Sequence, residues 1–339
     1  MKVYGGIDLH ANNNYTLLLD EQDRVLYRKR LPNVLSVVLA ELEPFRAELV
    51  GLVVESTYNW YWLVDGLMAA GYRVHLANPA AIQQYAGLKY SDDPSEAEWL
   101  ARMLRLGILP EGYIYPPEGR PVRDLLRQRS WLVRQHTSHL LHVGNILTRN
   151  RGSQSRGQQI KALTVAEVRQ MFADRERALA VESSLAVMAV LEEQIGAIEK
   201  QVKSRVQQEK AFQLLETVYG VGSILAMTIW LETGDIGRFA QVGDYASYCR
   251  CVDSRRLSNA KKKGENNRHN GNKYLAWAFV EAAHYAARFY PRVRRYVERK
   301  TSQKNQALAL KAVAHKLARA CYYILRDQVP FESARLFGT

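Results

Sequence analysis

The sequence predicts a mixed α/β unit followed by an all-α region. Three observations carry that expectation. Apolar runs of strand length alternate with helically spaced segments up to residue 79, the spacing is almost wholly helical after residue 211, and a polar, glycine-punctuated stretch, RNRGSQSRGQQ (149–159), lies between. A chain of 339 residues exceeds one ordinary core, and 47% hydrophobic with 24% charged content is that of a globular protein. The expected division is 1–150, then 151–210 as linker and coiled-coil helices, then 211–339.

In the first part, VYGGIDL (3–9), YTLLLDE (15–21) and RVLYRKRL (24–31) read as consecutive strands, the last two joined at a turn. SVVLAELEPF (36–45) has helical spacing, and LVGLVVEST (49–57) is a continuous apolar run suited to a strand covered on both faces. YWLVDGLMAAG (61–71) reads as a helix closed by glycine, and YRVHLANP (72–79) as the next strand. Three strands, helix, strand, helix, strand is the order of ribonuclease-H-like folds. Fold order alone does not give function.

Residues 121–150 form an Arg-rich helical stretch. Beyond the linker, Leu185, Met188, Leu191, Ile195, Ile198 and Val202 recur at spacings of three and four, a coiled-coil seam that fits a helical hairpin, a dimer contact or an ordinary helix packed within the chain. LLETVYGVGSILAMTIWLE (214–232) reads as two apolar helices about Gly220-Val221-Gly222, a helix-hairpin-helix-like element whose glycines admit close approach of phosphate oxygens. Residues 274–289 and 305–325 read as closing helices.

Charge is unevenly spread over the net +13. Residues 120–161 hold 9 Lys and Arg against 1 acid, and residues 250–304 hold 15 against 4, whereas residues 1–119 hold 10 against 15. Two basic blocks in one chain favour a polyanionic partner, most simply nucleic acid. A membrane surface is disfavoured, because 250–273 is rich in Asn, Gly and Ser and offers no apolar face. No apolar run approaches the ~18 residues of a membrane span. Cys249, Cys251 and Cys321 are too few for a disulfide framework and are expected as buried thiols in a reducing, cytosolic setting.

Against that basic background the stretch SDDPSEAEWLARM (91–103) concentrates acid at a helix start. Acids in a first turn complement the helix dipole, which is reason enough for them on a solvated face. Their neighbours in the fold suggest more. Asp8 and Glu55 close strands that end at one edge of the sheet, the usual place for chemistry in open sheets. Asp93 and Glu96, three residues apart, share a helix face. If that helix packs beside the strand ends, four carboxylates converge and need a cation, with oxygen ligands suited to Mg²⁺ or Mn²⁺. Two such ions ~4 Å apart can clamp the attacking and leaving oxygens of a phosphodiester.

These segments resemble a known family, the DEDD transposases of the insertion-sequence family numbered one hundred and ten. GIDLH around Asp8, VVEST around Glu55 and DDPSEAEWLA with Asp93 and Glu96 carry the N-terminal resemblance; LLETVYGVGSILA and SRRLSNAKKKGENNRHNGNKYLAWAFVEAA carry the C-terminal one. The resemblance implies a RuvC-like domain, a coiled-coil connector and a helical transposase domain. It implies Asp8, Glu55, Asp93 and Glu96 as the metal-binding tetrad, and Ser258 as a nucleophile forming a covalent phosphoserine link to DNA. It also implies a composite site across protomers, a homo-oligomer (dimer or tetramer), donor and target DNA, a guide (bridge) RNA, and action at the bacterial nucleoid. Glu96 stands where the family has aspartate, Tyr58 where glycine often follows the E-x-T motif, and Asn259 where glycine follows the serine.

From the residues alone, Ser258 is one serine in a polar loop, with Ser254 its nearest rival. Arg255, Arg256, Lys261, Lys262 and Lys263 surround it and could hold a scissile phosphate. These five with Arg268, Lys273, Gly220 and Gly222 are the candidate nucleic-acid contacts. The alternatives are a RuvC-like nuclease that hydrolyses DNA without a covalent intermediate, and a non-catalytic nucleic-acid-binding protein.

Overall fold

Six of the seven residues of β1 (Val3–Leu9) are buried, as a central strand covered on both faces requires. It pairs antiparallel with β2 (Asn13–Asp20), which pairs antiparallel with β3 (Val25–Pro32). The β2–β3 turn is tied by Asp20, whose Oδ1 accepts from the amides of Gln22 and Arg24. After α1 (Leu35–Leu42), strand β4 (Leu49–Glu55) lies parallel to β1; after α2 (Tyr61–Ala69), strand β5 (Val74–Ala77) lies parallel to β4. The sheet order is β3-β2-β1-β4-β5. Helix α3 (Asp93–Leu106) follows. The computed structural model describes residues 1–82, 93–253, 256–258, 261–264, 270–303 and 305–337; for 256–258, 262 and 335 it describes the backbone alone.

The two-residue period of strands sorts the side chains of β1 onto two faces. Ile7 and Leu9 pack with Val54, Leu63 and Leu67 under α1 and α2. Gly6 and Asp8 face the other way, toward α3. There Val53 packs with Leu100 and Met103, and Leu17 and Leu19 pack with Ala97 and Ala101. A Cβ at Gly6 would stand 2.0 Å from the Ala97 carbonyl oxygen and 2.8 Å from the Ala101 amide nitrogen. The α3 backbone therefore lies directly on β1, an approach that only glycine permits. At its other end α3 is held by Arg105, whose Nε and Nη2 each donate to Asp23 at 2.7 Å.

The chain divides into two units, 1–117 with 254–270, and 118–253 with 271–339. Within the first, β6 (Arg256–Ser258) and β7 (Lys261–Gly264) make a short antiparallel hairpin. The second is helical: α4 (Arg120–Arg151), α5 (Gly157–Lys161), α6 (Val165–Met171), α7 (Arg175–Val206), α8 (Lys210–Glu216), α9 (Ser223–Thr233), α10 (Val242–Tyr248), α11 (Lys273–Phe289), α12 (Pro291–Thr301), α13 (Gln306–Asp327) and α14 (Ser333–Phe337). The Arg-rich stretch expected with the N-terminal part is α4, and it packs on α7 inside the second unit. Val143 and Leu147 of α4 meet Ala178 and Val181 of α7, with Ile160 and Val168 from α5 and α6 closing the tip. Of the apolar seam on α7, Met188 and Val202 are buried while Leu185, Leu191, Ile195 and Ile198 are half-buried. The polar break also ends sooner than expected: Gly152, at φ +68°, terminates α4, and α5 begins five residues later.

A second core joins α8, α9, α10, α11 and α13 through Phe212, Ile229, Tyr245, Phe279 and Leu317. Within it the buried Glu232 accepts from Arg127 Nε at 2.6 Å and Nη2 at 2.7 Å, and from Asn272 Nδ2 at 2.7 Å. Asn272 in turn caps α11 by accepting from the amides of Tyr274 and Leu275. Cys249, Cys251 and Cys321 are free and buried, and burial pushes all three thiols up. Among the described residues, no helix is long and apolar enough to cross a membrane.

Candidate metal centre

The strand faces and the Gly6 contact place the acids. Asp8, on the α3 side of β1, is 1% exposed. Glu55 leaves the end of β4 on the same side, one strand over, and α3 brings Asp93 and Glu96 over the strand ends on its first turn. Ligand-capable atoms of Asp8, Glu55 and Glu96 lie within 4.8 Å of one another, and so do those of Asp8, His10 and Asp93. All four sequence-predicted acids are thus drawn together, as two overlapping groups that share Asp8.

His10 is a residue that sequence reasoning missed. Its Nε2 stands 3.2 Å from Asp8 Oδ2 and 3.2 Å from Asp93 Oδ2. The available signal was its place two residues after Asp8 in GIDLH, which keeps it on Asp8's side of the chain. Its backbone is held too, since the His10 carbonyl accepts from Asn33 Nδ2 at 2.9 Å and Asn59 Nδ2 at 3.0 Å. Thr57 Oγ1 donates to Asn59 Oδ1, so the loop after Glu55 is tied to the loop after Asp8. Arg30, from the charged edge strand β3, donates to Asp93 Oδ2.

The electrostatics are those of crowded acids short of positive charge. Burial, only partly offset by His10, raises the Asp8 carboxyl, and the negative charges of Glu96 and Asp93 raise it further. Burial and the neighbouring Asp8 push Glu55 up to about 7, with a hydrogen bond running between the two carboxyls. Among the described residues Asp8 Oδ2 is buried without a hydrogen-bond partner, with His10 Nε2 at ion-pair distance, 3.2 Å. An orphaned buried oxygen among three further carboxylates fits a divalent cation, and the all-oxygen set around Glu55 and Glu96 suits a hard one.

This arrangement sets a pH dependence. Glu55 has its folded value above its ordinary 4.5. Its contribution to stability is therefore fully present below pH 4.5 and is lost as pH rises through about 7. A bound cation that keeps both carboxyls ionised reverses that loss. The expected result in a thermal-shift series is that Mg²⁺ raises the melting temperature clearly at pH 8 and little at pH 5. Equal stabilisation at both values would contradict a site built on Glu55.

The remaining candidates fall less evenly. Ser258 lies at the end of β6 and its backbone pairs with Lys261. Lys261, Lys263 and Lys273 are exposed. Ser254, Arg255 and Arg268 lie outside the described residues, and of Arg256 and Lys262 the backbone alone is described. Gly220, at φ +80°, is spent on packing: a Cβ there would stand 2.1 Å from the Ala282 carbonyl oxygen of α11. Gly222 is different. It is exposed at the N-cap of α9, and nothing lies within 4 Å of an added Cβ.

A mixed sheet with acids gathered at its edge and a helical second region are consistent with a ribonuclease-H-like transposase. Comparison with known proteins agrees. A DEDD family model described as "Transposase" matches residues 5–150, and a model described as "Transposase IS116/IS110/IS902 family" matches residues 212–298. The chain is also similar to the transposase for insertion sequence element IS1111A of Coxiella burnetii (strain RSA 493 / Nine Mile phase I), at 22% identity over 96% of this chain and 87% of that protein. The chain belongs to the IS110 family of DEDD transposases and is a DNA transposase.

Proposed function

We propose that Asp8, Glu55, Asp93 and Glu96 with Ser258 form the cutting and joining centre of a guided DNA recombinase. The observation that carries this is the pair of acid groups sharing Asp8 in a chain of the DEDD family. A divalent cation, Mg²⁺ or Mn²⁺, held by those carboxylates would supply Lewis-acid stabilisation of charge on the phosphate oxygens.

The chain's own residues do the rest. Lys261 and Lys263 hold the scissile phosphate beside Ser258. The Ser258 oxygen attacks phosphorus, an Oγ–P bond forms, and the ester bond to one DNA segment breaks, its electron pair leaving on the DNA oxygen. That oxygen takes up a proton and the serine loses one. A hydroxyl of the joining strand then attacks the phosphoserine and restores the serine, so phosphodiester bonds are conserved with no energy source.

Around that centre, α4 and α7 act as a coiled-coil connector, and the exposed Gly222 at the N-terminus of α9 takes a phosphate in a helix-hairpin-helix-like element. The basic segments hold DNA and an element-encoded guide RNA, leaving sequence choice to base pairing. The active form is a homo-oligomer with the two halves of the centre from different protomers.

Ser258→Ala is expected to abolish the SDS-resistant protein–DNA adduct formed on supercoiled target plus donor, with DNA affinity unchanged. An undiminished adduct would transfer the role to Ser254. Strand cutting by the unaltered protein without any adduct would instead indicate a hydrolytic RuvC-like nuclease. Sequencing of RNA that co-purifies with the protein tests the guide.

A further inference from the structure

Helix α12, PRVRRYVERKT, buries Val293 and Val297 and presents the rest outward. At ~100° per residue, Arg292, Arg295 and Arg299 fall within ~60° of one another, opposite the two valines, and span ~10 Å along the axis. All three are exposed, and none has a carboxylate partner among the described residues. Arg294 is accounted for otherwise, since it donates to the Ala287 and Arg288 carbonyls and so caps α11. At the elbow between the helices Tyr290 stacks on Tyr219 with centroids 3.9 Å apart.

The last turn of α11, which leads through Tyr290 into α12, exposes two aromatic rings. Tyr285 is 46% and Phe289 61% exposed, and the rings are parallel within 10°. The Arg288 guanidinium lies 5.2 Å from the Phe289 centroid. Among the described residues, neither ring is packed against a core cluster. A bilayer does not fit them, because the apolar residues of α12 are turned inward. Guanidinium groups hold phosphates and exposed aromatic rings stack on bases, and only unpaired bases offer a free face.

We infer that the α11–α12 elbow binds single-stranded DNA, with Arg292, Arg295 and Arg299 on the backbone and Tyr285 and Phe289 under the bases. This rests on the chain's membership of a DNA transposase family, whose strand exchange exposes unpaired DNA, and not on the metal and serine chemistry proposed above.

The test is fluorescence anisotropy of the full chain in EDTA, where no catalysis occurs, with a 20-nucleotide single strand, its duplex and the same sequence as RNA. The triple variant Arg292→Gln, Arg295→Gln, Arg299→Gln should bind the single strand at least tenfold more weakly, and its log–log salt slope should be shallower by about 2, at ~0.7 per lost phosphate contact. The double variant Tyr285→Ala, Phe289→Ala should weaken single-strand binding about tenfold, as loss of one stacked base at ~1–3 kcal/mol implies, while duplex affinity changes less than twofold. The assignment is overturned if the triple variant binds normally, if the double variant weakens single strand and duplex alike, or if RNA binding falls while DNA binding does not. It is likewise overturned if the double variant dissociates an oligomer without changing DNA affinity. Because no chemistry is read out, failure of the Ser258 or carboxylate proposals would leave these results unaffected.

Discussion

Asp8→Asn is expected to lower strand-transfer activity about a thousandfold or more, the loss of roughly 4 kcal/mol of transition-state stabilisation, while raising the melting temperature of the metal-free protein. The two effects have one cause. Asp8 is 1% exposed, its Oδ2 lacks a hydrogen-bond partner among the described residues, and burial already disfavours its ionised form. An amide of the same shape removes the buried charge and relieves Glu55, so the fold gains where the chemistry loses. A merely structural aspartate behaves oppositely, losing stability along with activity. Activity assays in Mg²⁺ and a thermal melt in EDTA separate the two.

The second large effect comes from a residue that touches no substrate. Gly6→Ala places a methyl group 2.0 Å from the Ala97 carbonyl oxygen, which belongs to helix backbone and cannot rotate aside. Either β1 or α3 must move. Overpacking of this kind costs about 1–3 kcal/mol, occasionally more, and the upper end is expected here. Activity should fall further than stability accounts for, because α3 carries Asp93 and Glu96, and a displacement of ~1 Å at a reacting centre costs about a hundredfold. Urea unfolding gives the first quantity, and the rate of strand transfer at temperatures where the variant stays folded gives the second. A variant that is destabilised but fully active per folded molecule would show that the α3 acids are dispensable.

Much of the N-terminal unit was legible because its strands carry strong patterns. VYGGIDL is a strand over the same residues that the sequence suggests, and the apolar run 49–57 is the parallel strand β4, ending at Glu55. Once β1 and β4 are fixed, the two-residue period alone puts Asp8 and Glu55 on one side. What sequence could not supply is the height at which α3 crosses the sheet. That is set by the contact of Gly6 with Ala97 and Ala101, and small residues give no periodic signal. His10 was hidden for a related reason: a histidine just past a strand is unremarkable until Asp93, eighty-three residues later, is placed against it.

The helical region was read less completely. Helix α12 was not anticipated, because its apolar signal is two valines four residues apart among five cations and one acid. Its place is fixed by packing of Val293 and Val297 on the second core and by the Tyr290 carbonyl, which accepts from the amides of Val293 and Arg294. By sequence Gly220 fits either a phosphate-approach glycine or a tight turn, and its surroundings place it against the α11 backbone; local sequence looks the same in both cases. The Arg-rich α4 follows the sheet in the chain and falls within the DEDD family match over residues 5–150, while its apolar face packs on α7.

Sharing of divalent ions by oxygens from Asp8, Glu55, Asp93 and Glu96 is tested most directly by anomalous scattering from crystals grown in Mn²⁺. The expected result is a peak at ~2.1 Å from an Asp8 carboxylate oxygen and within ligand distance of Glu55, Glu96 or Asp93. Strong peaks elsewhere, with density at these four side chains showing them turned apart and metal-free, would contradict it.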